Sequence, residues 1–287
     1  MGIKNILQDK MKEVEEFPEE YMDKLPSGYQ HLDKRIILNL HQDLHPYAKQ
    51  IAQALMDFLP RMKGIWLRKG QIKGKYRKPT GLEHILGDDS SEAIVKENGI
   101  RYKFDFTKIM FAKGNVHERK ILPNRIDPGN VIVDMFAGIG YFSLGIAKKA
   151  DPKKVYSIEW NEVAFKYLKK NCILNHVEEV IEPILGNCKE QVPKLAKNGV
   201  KADYVIMGLL PAPLDAISPA LSVAKKEGTI VVYEGVEGED STRLFDQFSE
   251  IAKEEGFQTE QIDRRLVKSF APHRYHVVLE IMVKKPE

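Results

Sequence analysis

The segment 129–142 constrains the fold more strongly than any other part of the chain. It opens with a short run of β-branched apolar residues, 131–133, which predicts a buried strand. The run ends at Asp134 and passes into a turn that contains Gly138 and Gly140, after which an apolar helical pattern begins. Strand, glycine turn and helix in this order open a nucleotide-binding α/β unit, because glycine lets the backbone turn sharply and approach a ligand closely.

An acidic residue closes the next predicted strand, 154–159. This residue, Glu159, lies about 20 positions after Gly140, where an acid is placed to accept hydrogen bonds from ribose hydroxyls. The alternative is a surface glutamate that starts the following helix, but the strand and the spacing both favour the ribose role. Ser143 stands where a dinucleotide fingerprint has its third glycine, which favours a ligand without a pyrophosphate and disfavours an NAD-dependent oxidoreductase.

Strands and helices alternate from residue 131 onward. The predicted strands are 131–133, 154–159, 180–185, 203–208, 229–234, 259–269 and 275–284. The predicted helices are 141–149, 161–174, 188–196, 214–226 and 240–255. Alternation of this kind implies a mainly parallel sheet with right-handed crossovers, while the last two strands have no room for a helix between them and must pair as a hairpin. We therefore predict an α/β protein with a Rossmann-like seven-stranded sheet and one antiparallel edge.

Ligands of such sheets bind outside the carboxyl ends of the strands, so the residues that follow the third and fourth strands are candidates. Asn187 and Cys188 follow the third strand, and Asn187 can accept a hydrogen bond from a ligand, cap the next helix, or do both. Met207 is followed by the apolar turn 208–213, which contains neither Asn nor Asp. This turn does not obviously orient an exocyclic amine.

The residues before 129 predict a smaller domain. The first 25 residues are highly charged and predict a loosely packed lead-in or a short helix. Apolar residues recur at helical spacing over 36–59 and predict helices facing a small core, and 100–106 predicts a strand. The predicted segments are the lead-in at 1–25, a small α/β domain at 26–106, a linker at 107–128, and the Rossmann-like domain at 129–287.

Two basic stretches predict a nucleic-acid surface. Residues 61–78 contain no acid, and Trp66 and Tyr76 are interleaved with their basic side chains. Basic groups contact phosphates and aromatic rings stack on bases, although a solvated region with Trp66 in the core is the alternative. A second patch near the C-terminus favours nucleic-acid binding and contains Arg264, Arg265, Lys268, His273, Arg274 and His276. The predicted substrate-binding residues are Arg68, Lys69, Lys73, Lys75, Arg77, Lys78, Lys268 and Arg274.

Composition argues against several other classes of protein. Apolar residues make up 43% and charged residues 30%, as in globular proteins, and no apolar run approaches the roughly 18 residues of a membrane span. Cys172 and Cys188 have no metal-ligand spacing, so neither a disulfide framework nor a metal site is predicted. The charged N-terminus lacks the apolar core of a signal peptide. We expect a cytoplasmic monomer that binds no metal.

Three motifs together resemble one family of class I S-adenosylmethionine (AdoMet) transferases. They are Lys108-Ile109-Met110-Phe111-Ala112-Lys113-Gly114-Asn115-Val116-His117-Glu118-Arg119, the glycine turn, and Val267-Lys268-Ser269-Phe270-Ala271-Pro272. The family contains the archaeal and eukaryotic tRNA guanosine-37 N1-methyltransferases and the wybutosine-pathway aminocarboxypropyltransferases, and the resemblance covers about residues 60–287. It implies an AdoMet site to which the linker 107–128 contributes, and tRNA binding by the small domain 26–106. The candidate cofactor contacts are Ala112, Arg119, Phe136, Ala137, Gly138, Gly140, Glu159, Asn187, Cys188 and Met207.

The resemblance also separates the two activities of the family. The methyltransferases carry an Asn-Pro type of signature after the fourth strand, and the archaeal ones often have an additional N-terminal domain for the tRNA elbow; this sequence has neither. Both departures imply an archaeal-type aminocarboxypropyltransferase. It would transfer the 3-amino-3-carboxypropyl group of AdoMet to 4-demethylwyosine at position 37 of phenylalanine tRNA and release methylthioadenosine. The alternatives are a tRNA guanosine-37 N1-methyltransferase and a non-catalytic RNA-binding protein on the same fold.

The choice between the two transfers depends on orientation. A sulfonium has three carbons open to attack, and an enzyme selects the one that it holds in line with the acceptor. If the methionine Cγ faces the acceptor, the amino-acid tail must leave its usual pocket. We hypothesise that Arg119, with Lys113 or the backbone of Ala112, holds the relocated carboxylate, because a guanidinium binds carboxylates in a bidentate manner. The alternative for Arg119 is a salt bridge at the domain interface, for instance with Glu118 or Asp105, and the sequence identifies no general base.

Overall fold

The chain forms two compact units. The computed structural model describes residues 2–70, 72–73, 78–79, 81–111, 115–211 and 213–286, and for residues 72, 73, 78, 79 and 270 it describes the backbone alone. The N-terminal unit comprises residues 1–95 and 103–111, and the C-terminal unit comprises residues 96–102 and 112–287. Each unit has a hydrophobic core of its own.

The N-terminal unit combines helices with a four-stranded sheet. Its helices are α1 (Ile3–Met11), α2 (Ala48–Phe58) and two 3-10 helices, Glu19–Lys24 and Gln42–Tyr47. Its strands are β1 (Gln30–Leu32), β2 (Arg35–Leu38), β3 (Gly64–Arg68), β4 (Ile72–Lys73), β5 (Lys78–Pro79) and β6 (Leu82–Gly87). The sheet has the order β1-β2-β3-β6, in which β2 and β3 are parallel and the two outer pairs are antiparallel, while β4 and β5 pair separately.

Of two expectations for the N-terminal residues, one is confirmed and one is wrong. The short helix predicted within residues 1–25 is α1, and it is packed rather than loose, because Leu7 and Met11 lie fully buried in the same core as Ile51 and Leu55 of α2. Residues 36–38, whose spacing predicts a helix, form part of β2 instead. A short apolar run fits a buried strand as well as a buried helix, and periodicity alone does not separate the two.

A hairpin and a short helix precede the large sheet. The hairpin consists of β7 (Glu92–Glu97) and β8 (Ile100–Asp105), which confirms the strand predicted at 100–106. The helix is α3 (Val116–Ile121), which lies within the predicted linker and continues into a 3-10 turn, Leu122–Asn124.

The C-terminal unit is built on a seven-stranded sheet. Its strands are β9 (Val131–Asp134), β10 (Lys154–Glu159), β11 (Ile181–Leu185), β12 (Tyr204–Met207), β13 (Thr229–Glu237), β14 (Gln258–Ala271) and β15 (Arg274–Lys284). Its longer helices are α4 (Ser143–Lys149), α5 (Glu162–Asn175), α6 (Cys188–Lys197), α7 (Ile217–Ser222) and α8 (Arg243–Glu254). The order is β11-β10-β9-β12-β13-β15-β14, with β9 to β13 parallel and β15 antiparallel between β13 and the edge strand β14. The predicted Rossmann-like sheet and its closing hairpin are confirmed.

The core of this unit explains the strand pattern. β9, β12 and most of β13 are buried on both faces, as expected for the central strands of a parallel sheet, and they read as continuous apolar runs. α8 contributes Leu244, Phe248 and Ala252, at helical spacing, to the same core. Because β9, β10, β12 and β13 are parallel neighbours, their carboxyl ends lie along one edge of the sheet, where ligands of such folds bind.

Candidate active site

The buried carboxylate at the end of β10 organises the glycine turn. Glu159 accepts hydrogen bonds from the backbone N–H groups of Gly138 and Asn161, each at 2.7 Å. Burial raises the pKa of Glu159, whereas the hydrogen bonds from these two N–H groups stabilise the charged form and lower the pKa. The carboxylate therefore ties the end of β10 to the turn after β9, at the place predicted for the ribose contact.

The glycine turn has a backbone that favours glycine at two positions. Gly138 and Gly140 have φ angles of 58° and 98°. A Cβ atom at Gly138 would lie 2.7 Å from the ring of Tyr141, and one at Gly140 would lie 2.6 Å from Leu144. Glycine is required at both positions by the positive φ angles and by the side chains that occupy the space of a Cβ atom. The turn lies against the buried Glu159 at the ends of β9 and β10, so the residues present fit the AdoMet site that the resemblance implies.

Ser143 stands in the place of a third glycine for a visible reason. Its Oγ donates a hydrogen bond to Asp134 at 2.6 Å and accepts one from Ser157 Oγ at 2.7 Å, all three side chains being fully buried. Asp134 also accepts from the backbone N–H of Phe136 at 3.3 Å. Burial raises the pKa of Asp134 to about 6. A glycine at position 143 would deprive this buried carboxylate of its serine donor.

The substitution Asp134→Asn tests this cluster through the pH dependence of stability. The pKa of Asp134 rises on folding from about 4 to about 6, so the folded state keeps a proton that the unfolded state has already released. The stability from this group is complete below about pH 4 and is lost as the pH rises through about 6, by about 2–3 kcal/mol. We expect Asp134→Asn, which keeps an acceptor for Ser143, to abolish that loss. Urea denaturation of both proteins between about pH 4 and pH 8 measures it, and an unchanged loss in the variant would contradict the assignment.

The two candidate residues after β11 differ in role: Asn187 caps a helix, and Cys188 carries a buried thiol. Asn187 is the N-cap of α6 and accepts a hydrogen bond from the backbone N–H of Lys189 at 3.1 Å, so the capping role is confirmed. The contact between Asn187 and adenine stays a prediction, and the second lone pair of the side-chain oxygen remains available for it. Cys188 is buried, which raises the pKa of its thiol to about 11 and makes it a poor nucleophile at neutral pH.

The end of β12 is apolar and tightly packed. Met207 is fully buried in the hydrophobic core, so a contact with the cofactor would have to come from its backbone rather than from its side chain. A Cβ atom on Gly208 would lie 2.7 Å from the ring of Phe142 and 3.6 Å from the carboxylate of Glu234. The Phe142 ring thus occupies the space that a side chain at position 208 would need.

Arg119 has an ion-pair partner within the C-terminal unit. Its Nε and Nη2 atoms donate to the two carboxylate oxygens of Glu97 at 2.7 and 2.8 Å, and its side chain is 2% exposed. Arg119 therefore forms a salt bridge, as the alternative predicts, but its partner is Glu97 of the same unit and not a residue across a domain interface. The contact between Arg119 and a substrate carboxylate stays a prediction. Ala112, Lys113 and Gly114 lie outside the described residues.

Some residues of the basic stretch 61–78 are less available for contact with a nucleic acid than the sequence suggests. Trp66 is buried, which confirms the alternative that places it in the core. Arg68 is half-buried, and Lys69 forms an ion pair with Glu83. The predicted contacts that fall outside the described atoms are Lys75, Tyr76 and Arg77 and the side chains of Lys73 and Lys78.

Part of the C-terminal basic patch is committed to contacts within the protein. Arg264 pairs with Glu237 at 3.2 Å and Arg265 with Glu118 at 2.9 Å, while His276 is fully buried. These three residues therefore add little to a basic surface, because the fold brings acidic partners from distant positions to the two arginines and buries the histidine. The exposed members of the patch, which stay candidates for a nucleic-acid contact, are Lys268, His273 and Arg274.

Comparison with known protein families matches both parts of the chain. Residues 93–260 match the TRM5/TYW2 methyltransferase domain, and residues 3–90 match the TYW2 N-terminal domain. The chain belongs to the TRM5/TYW2 family.

Several TRM5/TYW2 proteins resemble the chain over most of its length. One is the tRNA(Phe) (4-demethylwyosine(37)-C(7)) aminocarboxypropyltransferase of Pyrococcus horikoshii, 35% identical over 97% of this chain and 98% of its own. Another is the tRNA (guanine(37)-N(1))-methyltransferase Trm5b of Pyrococcus abyssi, 32% identical over 95% of this chain and 79% of its own. The crystal structure of P. horikoshii TYW2 in complex with MeSAdo has a TM-score of 0.81, with 31% identity over 99% of this chain and 100% of that one.

This TRM5/TYW2 chain also contains a buried polar cluster that the sequence analysis does not identify. Glu234 of β13 is 1% exposed, and its two carboxylate oxygens lie 2.9 and 3.2 Å from Nδ2 of Asn115. Nε2 of His276, on the neighbouring strand β15, lies 3.1 Å from the same carboxylate. The signal in the sequence is an acid in the middle of a largely apolar strand, since acids are rarely buried without a partner.

Two kinds of feature are absent from the described residues. No group of three or more His, Cys, Asp and Glu side chains among them is arranged to hold a metal ion. None of the helices in this part of the chain combines the length and the apolar character that crossing a membrane requires.

Proposed function

We propose that this chain transfers the 3-amino-3-carboxypropyl group of AdoMet to 4-demethylwyosine at position 37 of phenylalanine tRNA. A bond forms between the methionine Cγ and C7 of the acceptor base, the Cγ–S bond breaks with its electron pair going to sulfur, and C7 loses its proton. Methylthioadenosine is the second product. The step belongs to the synthesis of wybutosine derivatives.

The observation that carries this proposal is the similarity to the P. horikoshii aminocarboxypropyltransferase over nearly the whole of both chains. The match of residues 3–90 to the TYW2 N-terminal domain supports the same activity. The end of β12 is consistent with it, because Gly208 carries no side chain and the Phe142 ring fills the adjacent space. An Asn or Asp at this position, which orients the acceptor amine in amino-methyltransferases, is therefore missing.

Residues of both units have separate roles in this proposal. AdoMet supplies a sulfonium whose attached carbons are open to attack. The glycine turn accommodates the methionine part, Glu159 accepts a hydrogen bond from the ribose, and Asn187 contacts the adenine. Arg119 is the candidate for the relocated carboxylate that the resemblance implies, and binding it would require the bidentate pair with Glu97 to open. The exposed Lys268 and the basic residues of 61–78 contact tRNA phosphates, which makes binding sensitive to salt.

The test uses two preparations of AdoMet, one labelled in the methyl carbon and one in the carboxyl carbon. Each is incubated with the protein and with phenylalanine tRNA that carries 4-demethylwyosine. We expect label to enter the tRNA from the carboxyl preparation alone, with methylthioadenosine formed in equal amount. Unmodified tRNA with guanosine at position 37 serves as the control acceptor and should take up neither label.

Each other result identifies a different protein. Label from the methyl preparation alone would overturn the proposal and indicate a methyltransferase, on guanosine-37 if the control tRNA is the acceptor. If neither label enters the tRNA and calorimetry detects no binding of AdoMet, the result would indicate an RNA-binding protein that keeps the fold.

A further inference from the structure

The Glu234 carboxylate fixes the orientation of the Asn115 amide. A carboxylate only accepts hydrogen bonds, so the NH2 end of Asn115 must face it and Nε2 of His276 must carry a hydrogen. Asn115 directly precedes α3, a position at which an asparagine side chain commonly caps the helix, yet its side chain makes no cap bond. The amide is turned towards Glu234 instead, and its carbonyl oxygen Oδ1 faces away from the carboxylate.

Glu234 also places Asn115 beside the end of β12. Its Oε1 atom lies 3.2 Å from Asn115 Nδ2 and 3.6 Å from the point where a Cβ atom of residue 208 would lie. One carboxylate therefore separates the Asn115 amide from Gly208. This is the end of the sheet at which amino-methyltransferases use an Asn or Asp side chain to hold the acceptor.

The cluster has a cost that packing alone does not justify. Glu234 and His276 are 1% and 0% exposed, and Nδ1 of His276 has no hydrogen-bond partner among the described residues. The negative charge of Glu234 also adds to the burial that raises the pKa of Asp134. Buried polar groups that are only partly paired destabilise a fold, so apolar residues at these positions would be more stable. A role in the site accounts for their presence.

We propose that Asn115, held by Glu234 and His276, presents its carbonyl oxygen to an N–H edge of the acceptor base and so replaces the side chain missing at position 208. The inference rests on the function proposed above and names the residue that orients the acceptor. A hydrogen bond from a ring N–H to this oxygen fixes the plane of the base and increases the electron density of the ring. Both effects favour attack by a ring carbon. Asn115 is the specificity-determining residue, and Glu234 and His276 are positioning residues.

The test consists of two measurements. One is kcat/KM for tRNA, with carboxyl-labelled AdoMet at a saturating concentration, and the other is the Kd of AdoMet by calorimetry. We expect Asn115→Ala and Glu234→Gln each to lower kcat/KM for tRNA by about 10- to 100-fold while the Kd of AdoMet changes less than about threefold. In Glu234→Gln the Asn115 amide can reverse and lose its orientation. Asn198→Ala, at an exposed position after α6, is the matched asparagine control and should behave like the wild type.

An exchange of the two groups separates orientation from simple destabilisation. Asn115→Asp alone places two carboxylates against each other and should lower kcat/KM as strongly as Asn115→Ala. In the double variant Asn115→Asp, Glu234→Gln, the amide introduced at position 234 supplies the N–H, and the carboxylate at position 115 keeps one oxygen for the acceptor base. We expect the double variant to exceed the single Asn115→Asp variant in kcat/KM by at least about tenfold.

Three results would overturn the inference. They are a kcat/KM of Asn115→Ala within about threefold of the wild type, a double variant no better than Asn115→Asp, and a loss of AdoMet affinity equal to the loss of kcat/KM. Failure of the proposed function is a separate result, since it appears in the wild type as uptake of methyl label. In that case the same variants measured with methyl-labelled AdoMet still decide whether Asn115 orients the acceptor.

Discussion

Glu159→Ala should weaken AdoMet binding by about 100- to 1000-fold. The substitution removes the predicted ribose acceptor and leaves the backbone N–H groups of Gly138 and Asn161 without the carboxylate that now accepts from both at 2.7 Å. Each unpaired buried donor costs about 1–3 kcal/mol, and the glycine turn loses the contact that ties it to β10. Isothermal titration calorimetry with AdoMet measures the change in Kd.

The control for this prediction is Glu182→Ala on the neighbouring strand β11. Glu182 is an exposed glutamate whose nearest basic group, Lys154 Nζ, lies 3.9 Å away, so its removal should leave the Kd of AdoMet unchanged. Glu159→Gln keeps one acceptor oxygen and should fall between the wild type and Glu159→Ala. A Kd of Glu159→Ala within about threefold of the wild type would show that Glu159 neither contacts the ligand nor shapes its site.

The sheet of the C-terminal unit could be predicted closely because its signals are local. Each parallel strand contains closely spaced apolar residues between turn residues, and β10 has the predicted bounds, 154–159. The helix predicted at 214–226 is the largest departure: the structure has a 3-10 turn, Leu214–Ala216, followed by α7, Ile217–Ser222. The helical spacing of apolar residues in the sequence extends beyond the residues that form the helix in the structure. The ends of a helix are therefore the part that the sequence predicts least well.

In the candidate site, too, the sequence predicts residues that belong to one local pattern and does not predict contacts between residues far apart in the chain. Glu159 and the glycine turn could be found because they lie in one stretch with a known spacing. The ion pair of Arg265 with Glu118 spans 147 positions, and the contact of His276 with Glu234 spans 42. No local pattern contains such pairs, so Arg265 and His276 looked like part of a basic surface until the fold supplied their partners.

Arg265→Met should lower the free energy of unfolding of the C-terminal unit by about 3–5 kcal/mol. Arg265 donates to Glu118, Asp263 and Glu280, and the side chains of Glu118 and Glu280 are 2% and 4% exposed. Burial lowers the pKa of Arg265, but the carboxylates outweigh burial and raise it, so the guanidinium stays charged. Without it, Glu118 becomes a buried carboxylate that has lost its ion-pair partner. Urea denaturation followed by far-UV circular dichroism measures the loss.

Arg125→Met is the control, because Arg125 contacts the same Asp263 and Glu280 but its side chain is 38% exposed. In this variant Asp263 and Glu280 keep Arg265 as a partner, so we expect the free energy of unfolding to fall by only about 1 kcal/mol. The double variant Glu118→Gln, Arg265→Met removes the unpaired charge and should regain at least about half of the stability lost in Arg265→Met. If Arg265→Met were within about 1 kcal/mol of the wild type, or if the double variant regained nothing, the buried charge of Glu118 would not be what makes Arg265 necessary.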